Sequence, residues 1–559
     1  MSRKLFSIVL VRNFIFIFGI LLASYVQANE NYAVASAHPL ATQAGIKILE
    51  DGGNAFDAAI SVAAVLGVVE PYSAGLGGGG FWLLYDAEKK RYVMVDARER
   101  APLSSTENMY QNSDGSVNRE LATNGAKAAA IPGQAAAFAH LAKNYGKRSL
   151  KKVLKPAIHA ANDGFKVEEV YQGMVESRLA TLQKYESSAS QFLSKNTVPS
   201  NDSKIKQPYL AHTLQQLAQD GHDGFYTGKV AKELVRSVRQ AGGIWTEKDL
   251  TDYKIVERAP IQFNYKNAKI ISASLPSSGG LLIASMMHML EPYSLKELSS
   301  TQRVHLLTEI MKRGYRQRNA WLGDSDFVQV PYEKFLNKEF ALNNMKDFNW
   351  KAASNLQPIT IDKKQGEHTT HFSILDSYGN RVSATLSINL PFGSGFVAGK
   401  TGVLLNNEMD DFDAASQVAN AYGFVGQGAN KIEPGKRPLS SMSPTFIETD
   451  DWIGILGTPG GSRIISMVFH GILAALENKP VAEWVAQPRY HHQFLPNEIQ
   501  FEPDAFSIDL QNSLKQIGHP ISQIDLGYGN MHAIQMNLKT KKVIAASDPR
   551  KIGLAIVKN

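Results

Sequence analysis

Hydroxyl side chains gather at the entry of one predicted β-hairpin in this chain of 559 residues, which contains no cysteine. The runs HFSILD and RVSATLSI are rich in β-forming residues and are joined by a short turn, so they predict two paired strands. The turn DSYGN suits a three-residue loop with Gly379 in the left-handed region. This register pairs Asp376 with Asn380, and counting outward places Thr369 opposite Ser387. Two hydroxyls are therefore expected to face each other.

The second strand of this hairpin alternates strictly between apolar and polar side chains, which predicts one apolar and one polar face. The first face is expected to carry Val382, Ala384, Leu386 and Ile388, and the second Ser383, Thr385 and Ser387. A hydroxyl is a weak nucleophile near neutral pH and needs a base. A threonine at the start of a chain carries that base in its own α-amine, whose unperturbed pKa is about 8. Such a threonine must first be exposed.

Several motifs around this hairpin occur in the order found in one known family. They are Thr369-Thr370-His371, Ser387-Ile-Asn389, FGSG, LNNEMDDF, PLSSMSP at 438–444 and GTPGGSR at 457–463. From about residue 31 to the C-terminus, the chain resembles the γ-glutamyltransferases, also called γ-glutamyltranspeptidases, which belong to the N-terminal nucleophile hydrolases. The resemblance implies an α+β fold, a four-layer αββα sandwich in which two stacked β-sheets lie between helix layers.

The resemblance also implies that the precursor cleaves itself between His368 and Thr369. The products would be a large subunit, 29–368, and a small catalytic subunit, 369–559, which stay together noncovalently as one globular unit. Thr369 would attack the γ-carbonyl of a γ-glutamyl compound such as glutathione and form an acyl-enzyme. The γ-glutamyl group would then pass to water, to an amino acid or to a peptide. Ser387 would hydrogen-bond Thr369.

Other motif residues are assigned by the same resemblance. The oxyanion that forms during acyl transfer needs paired backbone N–H donors. Gly460 and Gly461 match the family's oxyanion hole, although Pro-Gly-Gly alone is typical of a turn. The residues that match the binding site for the glutamyl α-amino and α-carboxylate groups are Asn389, Glu408, Asp411, Ser440 and Ser441. Because a zwitterion needs both signs of charge around it, the two carboxylates are expected to bind the ammonium.

Arg98 ends a second predicted hairpin, FWLLYDAEKKRYVMVDARERAP, and on its own would be a solvated charge. It occupies the position of the family's arginine for the substrate α-carboxylate, and a planar guanidinium can hold a carboxylate by two parallel hydrogen bonds. Tyr422 stands in a loop-like segment, 413–436, where the family's lid carries an aromatic residue. The run NNEMDD could also be a solvated acidic turn or a weak cation site, but it lacks the spacing of a metal loop. Neither a metal nor a cofactor is expected.

The first 28 residues read as a secretory signal peptide. Basic residues precede an apolar run that begins at Phe14, and Val26-Gln-Ala28 resembles a small-residue cleavage site. The alternative is an uncleaved membrane anchor, but the run is shorter than the roughly 20 residues that a span needs. A periplasmic or secreted protein, from a Gram-negative bacterium, is therefore expected. The net charge of +7 is spread along the chain without a basic patch, which argues against nucleic acid as a partner.

The rest of the pattern predicts the supporting elements. Two helices are expected, Pro39–Glu50 and Ala55–Val69, and the second is apolar almost all round and should be buried. The run GLGGGGF lacks the Lys-Ser/Thr and the helix that follow a phosphate loop, so close backbone packing is expected there. Residues 125–356 are mostly helical by pattern, and 356–367 are polar and unpatterned. LPSSGG, at 275–280, predicts a structural turn.

His491 and His492 are expected to be structural. Two other functions stay open. One is an acylase of the same family that acts on glutaryl side chains, against which the retained Glu408 and Asp411 argue, because a glutaryl group has no ammonium. The other is an unprocessed, inactive homologue that binds ligands, against which the retained Thr369 and its partners argue.

Overall fold

A computed structural model describes residues 31–201, 203–355, 369–415, 418–525 and 527–558. The predicted signal peptide, 1–28, the polar segment 356–367 and His368 lie outside the described residues. In the ranges that the structure does describe, no helix is both long and apolar enough to cross a membrane.

The strands of the described part of the chain are β1 (Tyr32–Ser36), β2 (Gly79–Asp86), β3 (Arg91–Ala97), β4 (Phe165–Lys166), β5 (Lys204–Ile205), β6 (Val256–Arg258), β7 (Ile261–Tyr265), β8 (Ala268–Ser272), β9 (Thr370–Leu375), β10 (Arg381–Ser387), β11 (Thr445–Glu448), β12 (Trp452–Gly457), β13 (Tyr490–His491), β14 (Ile499–Phe501), β15 (Ile521–Gln523), β16 (His532–Asn537), β17 (Val543–Ser547) and β18 (Leu554–Lys558). The α-helices are α1 (Pro39–Glu50), α2 (Ala55–Val69), α3 (Arg119–Thr123), α4 (Gln134–Asn144), α5 (Leu150–Asp163), α6 (Glu169–Gln183), α7 (Glu186–Phe192), α8 (Pro208–Asp220), α9 (Asp223–Tyr226), α10 (Gly228–Gln240), α11 (Glu247–Thr251), α12 (Gly279–Leu290), α13 (Ser300–Trp321), α14 (Tyr332–Leu336), α15 (Lys338–Asn343), α16 (Ile464–Leu476), α17 (Val481–Ala486) and α18 (Ile508–Gln516).

Two antiparallel sheets lie at the centre of the molecule. The first has seven strands in the order β18-β1-β9-β10-β2-β3-β6, and the second has six in the order β17-β16-β12-β11-β8-β7. Their facing sides share an apolar cluster to which Ala35 and Leu375 of the first sheet and Phe446 and Ile455 of the second belong. The outer face of the first sheet packs against α1, α2, α4 and α5, and that of the second against α12, α13 and α16. The predicted αββα sandwich is confirmed.

The hairpin β9–β10 has the predicted register. Leu386 pairs with Thr370, which places Ser387 opposite Thr369 just beyond the ladder. Gly379 in the turn has a φ of +88°, in the left-handed region that favours glycine. The turn chemistry and the alternation of the second strand were therefore sufficient to predict this pairing.

The two faces of β10 also divide as predicted. Its apolar face joins the cluster that contains α2, through Val382, Ala384, Leu386 and Ile388. On the other face, the hydroxyl of Ser383 donates to the carbonyl of Leu456 and accepts from the N–H of Thr445, each at 3.1 Å. The hydroxyl face of β10 thus lies between the two sheets.

Helices α1 and α2 begin and end at the predicted residues. Asn54 and Asp57 form a capping box at the start of α2, in which each side chain accepts the backbone N–H of the other. The N–H of Ala55 donates to the carboxylate of Asp376 at 2.9 Å. This bond ties the start of a buried helix to the turn of the β9–β10 hairpin.

Several strands were not predicted. β6, β7 and β8 lie within the region that was expected to be mostly helical, and β8 pairs with both β7 and β11. The signal was present in β7, because Ile261, Phe263 and Tyr265 alternate with exposed residues. β1 lies between β18 and β9 and is buried on both faces, so its sequence YAVAS does not alternate.

The glycine-rich run leads into β2, and its backbone lies against β10. A Cβ atom on Gly78 would lie 2.1 Å from the carbonyl oxygen of Ser387, and one on Gly80 would lie 2.4 Å from that of Thr385. The prediction of close backbone packing is confirmed. The glycines allow β2 to approach the end of β10 where Ser387 stands.

The LPSSGG motif is structural, but the predicted turn at its glycines is wrong. Gly279 and Gly280 open α12, and the hydroxyl of Ser277 accepts the N–H of Gly279 at 3.1 Å. A hydroxyl that accepts an N–H of the first turn favours a helix start, which the sequence pattern alone did not distinguish from a turn.

Buried histidines are concentrated in the small, C-terminal part of the chain. Burial lowers the pKa of His470, His491, His519 and His532 to about 3. His491 bonds Ser466 and Gln493, and burial also lowers the pKa of His492. Such neutral, packed rings are consistent with the structural role expected of the His491–His492 pair.

These rings predict acid sensitivity. A histidine whose folded pKa lies below its unfolded value, about 6.5, takes up a proton on unfolding, so stability is fully present above pH 6.5 and is lost as pH falls toward 3. His470→Phe should reduce the slope of unfolding free energy against pH by an amount that grows from a fraction of a proton at about pH 7 to nearly one proton, about 1.4 kcal/mol per pH unit, at about pH 5. Denaturant titrations between about pH 7 and pH 5 measure this slope. Replacement of the exposed His212 by Phe is the control, and an unchanged slope for His470→Phe would contradict the prediction.

Candidate active site

Thr369 and Ser387 meet at the open end of the β9–β10 hairpin. Their hydroxyl oxygens are 3.4 Å apart, at the limit of a hydrogen bond, and the two residues are only 6% and 4% exposed. The Ser387 hydroxyl also accepts the N–H of Asn389 at 2.8 Å. This leaves the Ser387 proton available to the Thr369 oxygen. Asn389 itself has a φ of +73°, a conformation that Asn tolerates better than most residues.

Thr370, the neighbouring threonine, is held differently. Its hydroxyl donates to the carboxylate of Glu70 at 3.1 Å, and its backbone pairs with Leu386 in the ladder. Burial raises the pKa of Glu70. Sequence reasoning did not identify Glu70, because it lies 300 residues before Thr370 in the chain.

Thr369 lines two cavities. The first is small and brings together most of the residues predicted for the site, namely Arg98, Thr369, Ser387, Asn389, Asp411, Tyr422, Ser440, Ser441 and Gly461. The second has a volume of 310 Å³ and is also lined by Glu70, Tyr72, Met174, Arg463 and Lys551. The threonine hydroxyl therefore stands between a narrow polar cavity and a wider one of mixed character.

Of the predicted residues, Glu408 and Gly460 do not line the small cavity, but each contacts or adjoins a residue that does. Glu408 lies 3.1 Å from a terminal nitrogen of Arg98, and Gly460 directly precedes Gly461. The structure thus gathers all the predicted residues that it describes in one region.

Arg98 is 1% exposed and is surrounded by carboxylates. Its terminal nitrogens contact Glu408 at 3.1 Å, Glu99 at 3.7 Å and Asp411, and its Nε donates to the carbonyl of Pro438 at 3.1 Å. Burial disfavours the charged guanidinium, but Glu408 and Asp411 more than offset this and raise the pKa of Arg98. An arginine that is buried this completely requires such counter-charges.

The carboxylates around Arg98 repel each other, which makes the charged form of each less favourable. Burial raises the pKa of Glu99 to about 8 and that of Glu408 well above its usual range, and the neighbouring Asp411 adds to both shifts. The titrations of Glu99 and Glu408 are therefore linked to each other. Glu99 was missed by the sequence analysis although it adjoins Arg98 within the motif DARERAP.

The glycine pair lies on a turn after β12. Gly460 has a φ of +138° and Gly461 of +56°, so both positions favour glycine. Ser462, which follows the glycine pair, is held in place because its carbonyl accepts the hydroxyl of Tyr315 on α13 at 2.6 Å. Tyr315 was not identified from the sequence, because nothing local marks a helix residue that contacts a distant turn.

The described part of segment 413–436 covers the small cavity. The hydroxyl of Tyr422 donates to the carbonyl of Asn389 at 3.0 Å, and the ring of Phe424 lies 3.5 Å from the guanidinium carbon of Arg318. Gln493 holds the same segment by donating to the carbonyl of Tyr422 at 2.9 Å. The predicted position of an aromatic residue over the site is therefore occupied by Tyr422.

One cluster of potential metal ligands occurs among the described residues, formed by His305, Glu309 and His519. Glu309 already binds Lys312 at 3.0 Å and also Arg313. Two cations beside the only carboxylate oppose a further positive ion. Glu309, Lys312 and Arg313 form a buried ion-pair network within α13. A hydrogen bond between the rings of His305 and His519 joins this helix to the C-terminal part of the chain.

An αββα sandwich with two facing hydroxyls at the open end of a central hairpin is typical of the class of N-terminal nucleophile hydrolases. Solved structures agree. The crystal structure of cephalosporin acylase from Bacillus halodurans superposes with a TM-score of 0.84 and 25% identity, over 94% of this chain and 96% of that chain. Helicobacter pylori γ-glutamyltranspeptidase gives 0.56 and 35% identity, over 57% of this chain and 92% of that chain.

The particular family follows from sequence. Residues 41–557 match the Gamma-glutamyltranspeptidase family model, and the chain belongs to this family. A glutathione hydrolase proenzyme of Pseudomonas sp. (strain A14) is 39% identical over 88% of this chain and 86% of the relative. The glutathione hydrolase proenzyme of Escherichia coli (strain K12) is 36% identical over 93% of this chain and 90% of the relative.

The Arg98 cluster predicts a large stability effect. Arg98→Met should lower the free energy of unfolding by about 3–5 kcal/mol, because it leaves buried carboxylates without their cation. The loss should be smaller at about pH 5 than at about pH 8, since the carboxylates can then take up protons. Denaturant titration measures both. Arg91→Met, at an exposed position on β3, is the matched control, and equal losses for the two variants would contradict the assignment.

Proposed function

We propose that the chain is a γ-glutamyltranspeptidase and glutathione hydrolase whose nucleophile is Thr369. The observation that carries the proposal is the meeting of the Thr369 and Ser387 hydroxyls beside the buried ion pairs of Arg98. A nucleophile and a charged site for an α-amino acid then share one cavity. The names of the curated relatives, glutathione hydrolase proenzymes, support the same substrate class and a processed precursor.

Maturation is proposed to cut the bond between His368 and Thr369. The large subunit would span residues 29–368 and the small subunit 369–559. Cleavage releases the α-amine of Thr369, which then serves as the base that its hydroxyl needs. We further infer that residues 1–28 are a signal peptide and that the mature enzyme is periplasmic or secreted.

Catalysis then proceeds in two acyl transfers. The Thr369 oxygen attacks the γ-carbonyl carbon of the donor while its proton passes to the Thr369 α-amine. The N–H groups of Gly460 and Gly461 stabilise the oxyanion, an effect worth several kcal/mol in acyl-transfer enzymes. Collapse expels the donor's amine, which takes the proton, and leaves a γ-glutamyl ester. Water or an acceptor amine attacks this ester and restores the hydroxyl. Ser387 holds the Thr369 oxygen in place throughout.

The small cavity suits the α-amino acid end of the donor. Asn389, Asp411 and Glu408 would bind the ammonium, and the hydroxyls of Ser440 and Ser441, together with Arg98, the carboxylate. The Ser441 hydroxyl is buried and makes no hydrogen bond to a described residue, so it is available to a ligand. Tyr422 covers the cavity and limits the entry of water.

The glutaryl acylase alternative has a structural neighbour in its favour, the cephalosporin acylase. However, a glutaryl group would bring no ammonium to Asp411 and Glu408. The two buried carboxylates would therefore contribute nothing to the binding of a glutaryl substrate. The γ-glutamyl reading therefore fits the charges of the cavity better.

The wider cavity on the other side of Thr369 would receive the leaving group and the acceptor. Its apolar lining includes Val170, Met174 and Ile524, and its cations are Arg463 and Lys551. Lys551 makes no ion pair with a described carboxylate. The amine of an amino acid or short peptide must reach the acyl-enzyme. Its carboxylate would then bind the ammonium group of Lys551.

The nucleophile assignment predicts the fate of the precursor. Thr369→Ala should accumulate as one uncleaved chain without activity, because both cleavage and turnover need the same hydroxyl. A denaturing gel measures this. The wild type should give a small subunit whose N-terminal sequence is Thr-Thr-His-Phe. Thr370→Ala, which removes a hydroxyl bound to Glu70, should still be cleaved, and cleavage of Thr369→Ala would show that the nucleophile lies elsewhere.

The acceptor assignment predicts a selective defect. Lys551→Met should raise the KM for an amino acid acceptor roughly 10-fold, as expected for the loss of one charge-assisted hydrogen bond. Hydrolysis of γ-glutamyl-p-nitroanilide without acceptor should keep its KM. Lys542→Met, at an exposed position, is the control. If acceptor and donor KM values rise together, Lys551 does not act on the acceptor.

A further inference from the structure

Glu70, which directly follows α2, is a buried carboxylate that the proposed mechanism does not use. It is 4% exposed. One of its oxygens accepts the Thr370 hydroxyl at 3.1 Å, and the other accepts the Tyr72 hydroxyl at 3.5 Å, the limit of a hydrogen bond. Within the described ranges it makes no ion pair with a lysine or an arginine. Because a buried carboxylate without a cation is costly, Glu70 would stabilise a positive charge placed beside it.

The backbone nitrogen of Thr369 lies near this carboxylate. Glu70 and Thr369 both line the wider cavity. Thr370, whose hydroxyl holds Glu70, directly follows Thr369 in the chain. The 3.1 Å hydrogen bond and the covalent bonds between the two threonines together limit the distance from the carboxylate to that nitrogen to roughly 11 Å. In the proposed mature enzyme this nitrogen is the α-amine, so cleavage would create an amine near a carboxylate that lacks a counter-ion.

Cations outnumber carboxylates around Thr369. The charged residues that line its two cavities are Glu70, Arg463 and Lys551 in the wider one and Arg98, Arg318 and Asp411 in the small one. Asp411 contacts Arg98. Glu70 is therefore the carboxylate of this lining that no lysine or arginine of the described residues contacts. On the far side of Glu70, His38 lies 3.6 Å from Glu168, and these two groups act on the Glu70 charge in opposite directions.

The base in nucleophilic catalysis is commonly held by a third group. In the Ser-His-Asp arrangement, a buried carboxylate orients the imidazole and stabilises the imidazolium that forms. Here the nucleophile is the Thr369 hydroxyl and the base is the α-amine, which becomes an ammonium when it takes the hydroxyl proton. An ammonium that is surrounded mainly by cations needs a counter-charge.

We propose that Glu70 is the positioning residue for the Thr369 α-amine, whose ammonium form its carboxylate stabilises during acyl transfer. This inference rests on the proposed function and adds a third group to its nucleophile and base. The proton moves from the Thr369 oxygen to the α-amine and then to the leaving amine, and Glu70 stays ionised throughout. Burial raises the pKa of the Glu70 carboxyl, and a neighbouring ammonium lowers it again.

A purely structural role for Glu70 makes a different prediction. Glu70 would then hold β9 in place through Thr370, and its loss would lower activity by the same factor at every pH. Thr370→Val removes the same hydrogen bond and keeps the charge of Glu70. Comparison of Thr370→Val with Glu70→Gln therefore separates the charge from the contact.

The pH dependence of hydrolysis tests the proposal. In the profile of kcat/KM for γ-glutamyl-p-nitroanilide, the acidic limb reports the α-amine, which must be neutral to act as a base. A carboxylate raises the pKa of a nearby amine, so Glu70→Gln should move this limb to lower pH by roughly one unit. Thr370→Val should keep the limb within about 0.3 units of its wild-type position.

Acetylation measures the same amine without relying on activity. Acetic anhydride reacts with the neutral amine, so brief labelling of the mature enzyme at a series of pH values gives the pKa of the amine. Mass spectrometry of the N-terminal peptide of the small subunit, which begins Thr-Thr-His-Phe, measures the extent of labelling. The midpoint should again lie roughly one unit lower in Glu70→Gln than in the wild type.

Equal midpoints in the wild type and Glu70→Gln, or an equal downward shift in Thr370→Val, would overturn the proposal. If Glu70→Gln does not mature, Glu70→Asp, which draws the carboxylate back by one methylene, should move the midpoint in the same direction by a smaller amount. An unmoved midpoint in that variant would count against the proposal in the same way. Failure of the proposed function would look different, because the wild type would then yield no small subunit that begins Thr-Thr-His-Phe.

Discussion

The register of one hairpin determines the rest of the site. Thr369 faces Ser387 only because β9 and β10 pair as they do, and a slip of one residue would turn the threonine to the opposite face of the sheet. The carboxylate of Asp376 fixes this register at the turn, where it accepts the N–H groups of Tyr378 and Asn380. It also accepts the first N–H of α2. The position of the Thr369 hydroxyl therefore depends on a turn at the far end of the strand that follows it.

Buried charge is the second constraint. Arg98, Glu408 and Asp411 bring opposite charges together where water has little access, and each is acceptable only because the others are present. This cluster gives a cavity that is already charged before a ligand enters it. A zwitterion can then exchange partners with groups held in place, rather than ordering flexible surface side chains. Arg318 adds a second buried arginine to the lining of the small cavity.

The features that could be predicted from the sequence are those that depend on neighbouring residues in the chain. The hairpin, α1 and α2 follow from local periodicity, turn chemistry and caps, and all three are confirmed. The site residues on motifs were found through resemblance, and the structure brings them together. Arg318, Tyr315 and Glu70 were missed because each acts on a residue distant in sequence, and a helix or a buried loop residue carries no local mark of such a contact. β1 was missed because a strand buried on both faces does not alternate.

The strand order has a consequence for how the two proposed subunits are related. In the first sheet β9 lies between β1 and β10, and β10 lies between β9 and β2, so strands from before and after residue 369 are interleaved. In the second sheet, β7 and β8 lie together at one edge and join the later strands through the ladder of β8 with β11. Cutting the chain before β9 would remove covalent connectivity without removing a single ladder. Dissociation would have to break both sheets at once, so the halves should persist as one body, and neither half on its own holds a complete sheet to fold around.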